Sequence, residues 1–278
     1  MAIAVIGAIT KDIIEINGRR EKKIGGTAFY SGITLANLGI KTQIFTKLSG
    51  EDKNLLAALK HRNISLFSRF CKSTTCFRNV YSGEKREQFV ESIAEPFSVS
   101  DVNKLKSCNI AHLGPLTRAD IPLEVVTYLK GLGLIISLDV QGYLRGIKNK
   151  KVRLVKWKDA KQFLRYADVI KADTKEAEIL TGKKGKSAAK AITALGPREV
   201  IITDGPNGSL VYSDRNYFSI PAFTPAEIKD VTGCGDTYAA AYLAKRLQSN
   251  DLKECGLFAA RCATAKIEQG VFNSLQKM

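Results

Sequence analysis

The sequence is poor in the residues that build metal clusters and disulfide frameworks. Only two of its 278 residues are histidine, His61 and His112, and its six cysteines form no C-x-x-C pair. Histidine-rich metal sites and most Ser-His or Cys-His nucleophile systems therefore have few available partners. Scattered cysteines in apolar stretches are typical of reduced core thiols, so we expect neither a zinc site nor a disulfide framework. The role of general base falls to a carboxylate.

Long apolar runs are also missing. The stretch from Leu132 to Leu138 is far shorter than the roughly 18 residues that a membrane-spanning helix needs. The first residues enter an apolar segment at once, without a basic leader or a small-residue cleavage site, so we expect a core strand there and not a signal peptide. The sequence predicts a cytoplasmic protein without a membrane partner.

What is present is the composition of a globular protein. Hydrophobic residues make up 45% and charged residues 25% of the chain, close to the average for soluble domains. We find no internal repeat and no linker rich in proline or serine. We therefore expect residues 1–278 to form a single domain.

Basic residues outnumber acidic ones, 43 against 27, which gives a net charge of +16. Such a balance raises the possibility of nucleic-acid binding. The basic residues are nevertheless spread over many predicted elements, and no zinc finger, aromatic RNA-binding signature or basic zipper accompanies them. A solvated surface, or attraction of small anionic substrates, explains this spread better, and a nucleic-acid partner is not expected.

Strand-like and helix-like segments alternate along the chain, which predicts an α/β protein with a mostly parallel sheet. The predicted strands are short apolar runs suited to a sheet that is buried on both faces; they are Ile3-Gly7, Thr42-Lys47, Asn109-Leu113, Leu134-Asp139, Asp168-Lys171, Glu199-Thr203 and Ser209-Tyr212. The predicted helices are Thr27-Leu38, Asn54-Arg62, Pro122-Lys130, Asp159-Tyr166, Thr174-Thr181, Lys186-Leu195, Cys234-Gln248 and Leu252-Gln269.

Two segments, at about 12–24 and 75–92, break this alternation. The first holds Asn17-Gly18 between short alternating runs, a strong signal for a β-hairpin. The second contains two strand-like pieces around a polar turn that includes Gly83. Together they predict a small β lid, discontinuous in sequence, over the α/β part. Because an exposed sheet face is a ready interface, this lid is also a candidate site for homodimer formation.

The most informative motif is Asp230-Val-Thr-Gly-Cys-Gly-Asp236, which precedes a helical run of small residues. Gly233, Cys234 and Gly235 lie where a loop enters a helix, so their backbone N–H groups can face an anion at the positive end of the helix dipole. Asp236 places a carboxylate in the first turn, where it can deprotonate a hydroxyl that attacks a phosphoryl group. An ordinary loop with an aspartate at the helix start would share this short pattern.

This motif resembles the C-terminal signature of the ribokinase-like (pfkB) carbohydrate kinases, with Cys234 in place of the usual alanine. Other family motifs match in the family's order; they are Asp12, Gly25-Gly26, Leu38-Gly39, Gly50-Glu51-Asp52, Asp173-Thr-Lys-Glu176 and Thr203-Asp-Gly205-Pro-Asn-Gly208. The resemblance spans residue 3 to about residue 270. It implies a three-layer α/β/α ribokinase-like fold with a β lid.

The activity implied by the resemblance is transfer of the γ-phosphoryl group of ATP to a hydroxyl of a sugar, polyol or nucleoside. Asp236 would be the general base, and the amides of Gly233, Cys234 and Gly235 would stabilise the charge on the transferred group. Asp12, Gly25 and Gly26 would contact the substrate.

The resemblance also implies residues for the nucleotide and its ions. Asp173 and Glu176 would organise Mg²⁺ and its waters, and Lys171 would touch nucleotide phosphates unless it is a surface lysine. Thr203, Gly205 and Gly208 would line the nucleotide cleft, although the same residues also suit a turn between two strands. Asp230 corresponds to a position near a monovalent-cation site in some members, so K⁺ is a possible activator.

Two departures from the family pattern bear on the substrate. Tyr30 stands where members that bind furanoses commonly carry asparagine, so a ring hydroxyl loses an amide partner. Asp173 replaces the usual asparagine and adds a negative charge near the metal.

The segment from Asp139 through Gln141 to Arg145 resembles the D-x-Q-x-x-x-R stretch of myo-inositol kinases in this family. It follows a buried strand, where α/β sheets place their ligands, although an aspartate and an arginine there can also form a simple ion pair. A cyclic polyol is therefore the first candidate acceptor.

Two alternatives remain open at this stage. A nucleoside kinase of the same fold would need an aromatic pocket for the base, which Phe29, Tyr30 and Phe89 could supply. A nucleic-acid-binding or regulatory protein on a kinase scaffold would explain the net charge, and the salt dependence of DNA binding would identify it. The carboxylate of Asp236 argues against this second alternative, because a pure binding module would not require it.

Overall fold

The computed structural model describes residues 1–82, 85–214 and 216–275, and these residues form a central sheet, helices on both of its faces and a second, smaller sheet. The central sheet has seven parallel strands followed by two antiparallel strands at one edge. In spatial order its strands are β5 (Ile64–Cys71), β4 (Lys41–Ser49), β1 (Ala2–Gly7), β8 (Ile110–Gly114), β9 (Ile135–Asp139), β12 (Val169–Asp173), β13 (Glu199–Thr203), β14 (Ser209–Ser213) and β15 (Asn216–Ile220).

Helices cover both faces of this sheet. They are α1 (Thr27–Asn37), α2 (Val99–Val102), α3 (Leu123–Gly131), α4 (Ala160–Leu164), α5 (Thr174–Thr181), α6 (Gly185–Thr193), α7 (Cys234–Arg246) and α8 (Leu252–Gln269). Helices α1, α7 and α8 share one hydrophobic core with the sheet, and α2 to α6 share the other. Strand β1 contributes side chains to both cores, because Ile3 and Val5 point to one face of the sheet and Ala4 and Ile6 to the other. The predicted three-layer α/β/α fold is confirmed.

The second sheet has six strands taken from three stretches of the chain. In spatial order they are β3 (Arg19–Gly25), β2 (Thr10–Ile16), β6 (Cys76–Ser82), β7 (Lys85–Ser92), β11 (Lys151–Leu154) and β10 (Arg145–Lys148). The hairpin at Asn17-Gly18 is confirmed, since both residues have the positive φ, 49° and 78°, that a type I′ turn requires. The predicted turn at Gly83 lies outside the described residues.

Four strands, β5, β10, β11 and β15, were not predicted, and one helix prediction was wrong. Strands β10 and β11 have only four residues each, and β5 and β15 mix polar with apolar side chains, so none of them shows the short apolar run that marks a buried strand. Residues Asn54-Arg62 were expected to form an α-helix, but the chain forms a 3₁₀ helix over Gly50–Leu59. Only Leu59 of that segment is buried, so it lacks the apolar stripe that would favour an α-helix packed on the core.

Across the described ranges, every helix is too short or too polar to cross a lipid bilayer.

Candidate active site

Two adjoining cavities lie where the parallel strands β9, β12 and β13 end and helix α7 begins. This is the edge at which open α/β sheets hold their ligands. We call them the charged cavity, of about 280 Å³, and the apolar cavity, of about 640 Å³. Both are lined by Thr203, Val231, Cys234 and Gly235, so the start of α7 forms their common wall.

The charged cavity brings together most of the site residues that the sequence predicts. Those that line it are Asp12, Gly26, Tyr30, Asp139, Gln141, Arg145, Lys171, Asp173, Glu176, Thr203, Gly233, Cys234, Gly235 and Asp236. Gly205 and Gly208 line the apolar cavity instead. Among the described residues, Gly25 and Asp230 lie outside both linings.

The loop that precedes α7, residues 230–235, is shaped to leave backbone N–H groups open. Gly233 is the residue at the helix start, has a φ of 79° and no side-chain cap. A Cβ atom on Gly233 would stand 2.3 Å from the Tyr30 ring, so only glycine fits there. Cys234 N–H donates only a long hydrogen bond, 3.4 Å, to the Val231 carbonyl. The first-turn N–H groups have no partner within the helix, so this wall is suited to bind an anion, and we call it the anion site.

Asp236 lies in the first turn of α7 and faces the charged cavity. Its Oδ1 atom is buried and has no well-aligned hydrogen-bond partner among the described residues. Burial raises the pKa of Asp236 to about 6, and the Asp139 carboxylate adds to the increase while Lys171 opposes it. A carboxylate with this pKa is ionised at neutral pH and basic enough to accept a proton from a hydroxyl.

Lys171 and Asp139 form a buried ion pair under the common wall. Lys171 Nζ lies 3.0 Å from Asp139 Oδ2, and a Cβ atom on Gly235 would be 2.9 Å from that same Nζ. Burial alone would lower the pKa of Lys171, but the carboxylates of Asp139 and Glu176 outweigh it and raise that pKa. Lys171 is therefore a buried cation directly behind the anion site, and the surface-lysine alternative is wrong.

Gln141 and Arg145 are held in place beside Asp139. The Gln141 N–H donates to Asp139 Oδ1 at 2.9 Å, and Arg145 Nη2 donates to Gln141 Oε1 at 2.7 Å. Arg145 also donates to the Leu116 carbonyl and stacks on the Phe77 ring, with its guanidinium carbon 5.2 Å from the ring centre. Because both Asp139 oxygens have partners, this carboxylate orients its neighbours as well as lining the cavity.

Asp12 enters the charged cavity from the second sheet. Its Oδ1 accepts a hydrogen bond from the Phe77 N–H at 3.2 Å, and burial raises its pKa. Gly25 packs against it, since a Cβ there would stand 2.8 Å from Asp12 Oδ2. Gly26 has a φ of 85° and begins α1, and a Cβ there would lie 2.2 Å from the Ala8 carbonyl oxygen. The Gly-Gly pair thus allows close contact between the strand that carries Asp12 and the start of α1.

Asp173 and Glu176 form the reciprocal cap of α5. Asp173 Oδ1 accepts from the Glu176 N–H and Glu176 Oε2 accepts from the Asp173 N–H, each at 2.7 Å. Each carboxylate uses one oxygen in the cap, which leaves the other for a ligand. Burial raises the pKa of Glu176 to about 7, partly offset by Lys171.

These two carboxylates fit the role predicted for a Mg²⁺ ion. Within the ranges the structure covers, no cluster of three or more His, Cys, Asp or Glu residues could hold a metal ion alone. Mg²⁺ ordinarily takes one or two carboxylates and completes its shell with water and substrate phosphates. The Asp173–Glu176 pair offers that number of protein ligands.

The apolar cavity is built by the β13–β14 turn, the segment after β15, and helices α7 and α8. Its walls include Phe223, Ile228, Tyr238, Ala260 and Ala263. Such a mixture of small and apolar side chains suits a flat, uncharged ring system better than a bare anion.

The aromatic pocket expected from Phe29, Tyr30 and Phe89 is present only in part. Of these three, Tyr30 alone lines the charged cavity, while Phe29 packs edge-on behind its ring with the ring centres 5.1 Å apart. Phe89 lies under the guanidinium of Arg78. Phe77 and Tyr81 supply the other aromatic side chains of this cavity instead.

Sequence reasoning missed several residues that the second sheet brings to the charged cavity. Arg86 and Gln88 both line it, and both donate to the amide oxygen of the buried Asn79, at 2.7 Å from Arg86 Nη2 and 2.9 Å from Gln88 Nε2. Thr10 also lines it, next to Asp12. The spacing of Arg86 and Gln88 two residues apart in a strand, on one face, was the available signal.

Comparison with known proteins agrees with this geometry. Residues 2–275 match the family described as pfkB family carbohydrate kinase. A cytidine kinase of Thermococcus kodakarensis is 26% identical over 263 residues, which is 91% of this chain and 91% of that protein.

Solved structures are similar over nearly the whole chain. A pyrophosphate-dependent kinase in the ribokinase family, complexed with a pyrophosphate analog and myo-inositol, superposes with a TM-score of 0.89 at 27% identity, covering 99% of this chain and 97% of that one. Arabidopsis thaliana ribokinase complexed with ribose and ATP superposes with a TM-score of 0.78 at 20% identity, covering 96% and 93%, which shows a common fold.

Proposed function

Since the chain belongs to the pfkB family of carbohydrate kinases, we propose that it transfers the γ-phosphoryl group of ATP to a hydroxyl of a sugar or cyclic polyol. A myo-inositol-like compound is the first candidate acceptor. The observation that carries this proposal is the common wall of the two cavities, because an anion site lies between a cavity for the donor and one for the acceptor.

The proposed reaction takes place at that wall. The adenosine moiety occupies the apolar cavity, and the γ-phosphoryl group rests on the open N–H groups of Gly233, Cys234 and Gly235. The acceptor hydroxyl lies beside Asp236, which takes its proton as the bond from the hydroxyl oxygen to phosphorus forms and the bond to the leaving ADP oxygen breaks. Backbone dipoles and the Lys171 ammonium group stabilise the charge that develops on the transferred group.

Asp173 and Glu176 would hold Mg²⁺ through water in this arrangement. When bound, the ion would neutralise charge on the nucleotide phosphates. The two carboxylates are kept in place by their reciprocal hydrogen bonds to the α5 backbone.

The charged cavity favours a small polyhydroxy compound. It is only about 280 Å³, at the low end for ligand pockets, and carboxylate, amide and guanidinium groups surround it. Asp12, Gln88 and Arg86 supply acceptors and donors that match a ring with several hydroxyls. The similar kinase that was solved with myo-inositol supports this acceptor class.

A nucleoside is the second candidate acceptor. The similarity to a cytidine kinase favours it, and Tyr30 and Phe77 could stack on a base. The small volume of the charged cavity and the carboxylates in its walls are the reasons we place it second.

Pyrophosphate is the alternative phosphoryl donor, because the similar kinase named above depends on it. The apolar cavity favours ATP, since a pyrophosphate ion would leave its apolar walls without a partner.

The proposal is tested by measuring phosphorylated product from Mg-ATP or Mg-pyrophosphate with myo-inositol, hexoses, pentoses and nucleosides. We expect turnover of a polyol with ATP and its loss in Asp236→Asn. Turnover of nucleosides alone would favour the second candidate. No turnover with any pair, in protein that binds ATP, would contradict a kinase function and favour the binding-protein alternative.

The second sheet is proposed to act as a lid that excludes water during transfer. Its outer face is also the proposed homodimer contact, which sedimentation or light scattering would measure. Retention of monomer mass at micromolar concentration would contradict the dimer.

A further inference from the structure

A second buried lysine contacts the loop that precedes α7 and lies outside both cavity linings. Lys266, near the end of α8, has no exposed side-chain surface. Its Nζ donates a hydrogen bond of 2.9 Å to the Asp230 carbonyl and lies 3.9 Å from Asp230 Oδ1. Such a cation is costly to bury unless its partners compensate for lost water, so its presence calls for an explanation.

This contact is one of several that fix the loop before α7, and Lys23 Nζ, 3.6 Å from Asp230 Oδ2, makes another from the second sheet. Two backbone hydrogen bonds also tie the loop to α8, from Lys229 N–H and Asp230 N–H to the Ile267 carbonyl, at 3.1 and 3.3 Å. The Asp230 carboxylate in turn accepts from the Thr232 N–H at 2.8 Å, so the loop folds around the Asp230 side chain. Lys266 therefore supports the residue on which the turn leading to Gly233 is built.

A second contact leads from Lys266 to the anion site itself. Its Nζ lies 5.3 Å from the centre of the Tyr30 ring, the ring that packs against Gly233. The attraction of an ammonium group to an aromatic face favours this arrangement. The Lys266 charge is thus coupled to Gly233 both through the loop and through Tyr30.

Packing alone does not account for a charge at this position. Replacing a buried ion pair by apolar side chains of similar volume is often neutral for stability, or favourable, and most of the neighbourhood of α8 is apolar. Burial lowers the pKa of Lys266, and Cys234 and Asp230 oppose that decrease. Asp230 is also the position at which a monovalent cation was expected, and the ammonium group already lies against its carbonyl.

We propose that Lys266 is a positioning residue whose ammonium group supplies, from within the chain, the positive charge that holds the anion loop in its binding form. The inference rests on the proposed kinase function. It follows that phosphoryl transfer by this protein needs no K⁺ or other monovalent cation.

Two substitutions of Lys266 distinguish the effect of its charge from the effect of its side-chain volume. Lys266→Met keeps most of the side-chain volume and removes the charge, whereas Lys266→Ala also opens space for a small cation. Lys253→Met, on the exposed side of the same helix, is the matched control. Initial rates are measured in tetramethylammonium chloride, KCl and methylammonium chloride at equal ionic strength.

For the wild type and Lys253→Met we expect equal rates in all three salts. Both Lys266 variants should lose at least tenfold in kcat with little change in KM for the acceptor, and only Lys266→Ala should recover, at least fivefold, in K⁺ or methylammonium. More than twofold activation of the wild type by K⁺ would overturn the proposal. So would full activity of the Lys266 variants, or a loss that no cation restores in Lys266→Ala.

A readout without turnover distinguishes failure of this inference from failure of the proposed function. The thermal unfolding midpoint of Lys266→Ala should rise in K⁺ or methylammonium relative to tetramethylammonium, and that of the wild type should not change among the three salts. If these midpoints behave as expected while no acceptor is phosphorylated, the positioning role stands and the kinase proposal fails. Midpoints of Lys266→Ala that do not respond to the cation would contradict the role of the charge directly.

Discussion

The two cavities that meet at the start of α7 differ in almost every physical property. The apolar cavity is the larger, about 640 Å³ against 280 Å³, and is built by the C-terminal third of the chain. The charged cavity takes its walls from both sheets, and carboxylates, amides and cations face it. The difference supports the proposed division of roles, in which the apolar cavity binds the uncharged ring of the donor and the charged cavity orients and activates the acceptor hydroxyl.

The largest expected effect comes from removing the base from the charged cavity. Asp236→Asn should lower kcat by about 10²- to 10⁴-fold, the usual contribution of a general base, and should leave ATP affinity within about twofold. Stopped assays of product and calorimetric titration of ATP measure the two quantities. Asp214→Asn, at an exposed turn remote from the cavities, is the control. A loss of kcat smaller than about tenfold would remove Asp236 from the role of base.

Lowering the pH should also act on the charged cavity, because it protonates Asp236. With a pKa of about 6, Asp236 is ionised at pH 7.5 and becomes protonated as the pH falls through 6, where it can no longer accept a proton. We expect kcat/KM for the acceptor to fall about tenfold for each pH unit below that point. A rate profile from pH 4.5 to 8 measures this, with circular dichroism to confirm that the fold persists. A flat profile down to pH 5 would contradict the assignment.

Filling the apolar cavity should affect the donor alone. Ala263→Phe places a ring where the base of ATP is expected, so KM for ATP should rise about tenfold or more, which corresponds to about 1.4 kcal/mol of lost binding. KM for the acceptor should change by less than about twofold on the same scale. Ala119→Phe, at an exposed position, is the control. If the same variant uses pyrophosphate with unchanged KM while ATP is not a donor for the wild type, the apolar cavity is not a nucleotide site.

The smallest effect is expected from the side chains of the second sheet. Gln88→Leu removes one hydrogen-bonding group from the charged cavity, so KM for the acceptor should rise by about three- to tenfold, in line with about 0.5–1.5 kcal/mol for one hydrogen bond. KM for ATP should stay the same, and Gln162→Leu on the exposed side of α4 should change neither constant. Equal changes in both KM values would indicate a general disturbance of the second sheet.

The sequence predicts the central sheet well because buried parallel strands are short apolar runs. Strand β1 illustrates this, since its residues pack into both cores and its apolar run can be recognised without knowing which strands it pairs with. Strand β11 illustrates the opposite case, because it has only four residues, two of them charged, and it pairs with β7 only at Lys151 and Phe89. Such a strand is specified by its contacts with distant parts of the chain, and local sequence does not reveal it.

The residues of the site likewise fall into those that the sequence predicts and those that it does not. The resemblance to the family's motifs predicted Asp12, Asp173, Glu176 and Asp236 as site residues, and the structure brings them into one cavity because each lies near the end of an element whose position in the fold is fixed. The motifs could not reveal Lys266, which lies in the last turn of an ordinary helix and acquires its position only when α8 packs behind the loop. Residues that act from behind a site are found by packing and not by pattern.

The most direct test of the account is a crystal structure of the protein with Mg²⁺, a non-hydrolysable ATP analogue and myo-inositol. The account predicts the nucleoside in the apolar cavity, the γ-phosphate within hydrogen-bond distance of the N–H groups that begin α7, and an inositol hydroxyl in contact with Asp236. A γ-phosphate bound away from the start of α7, or a nucleoside in the charged cavity, would contradict it.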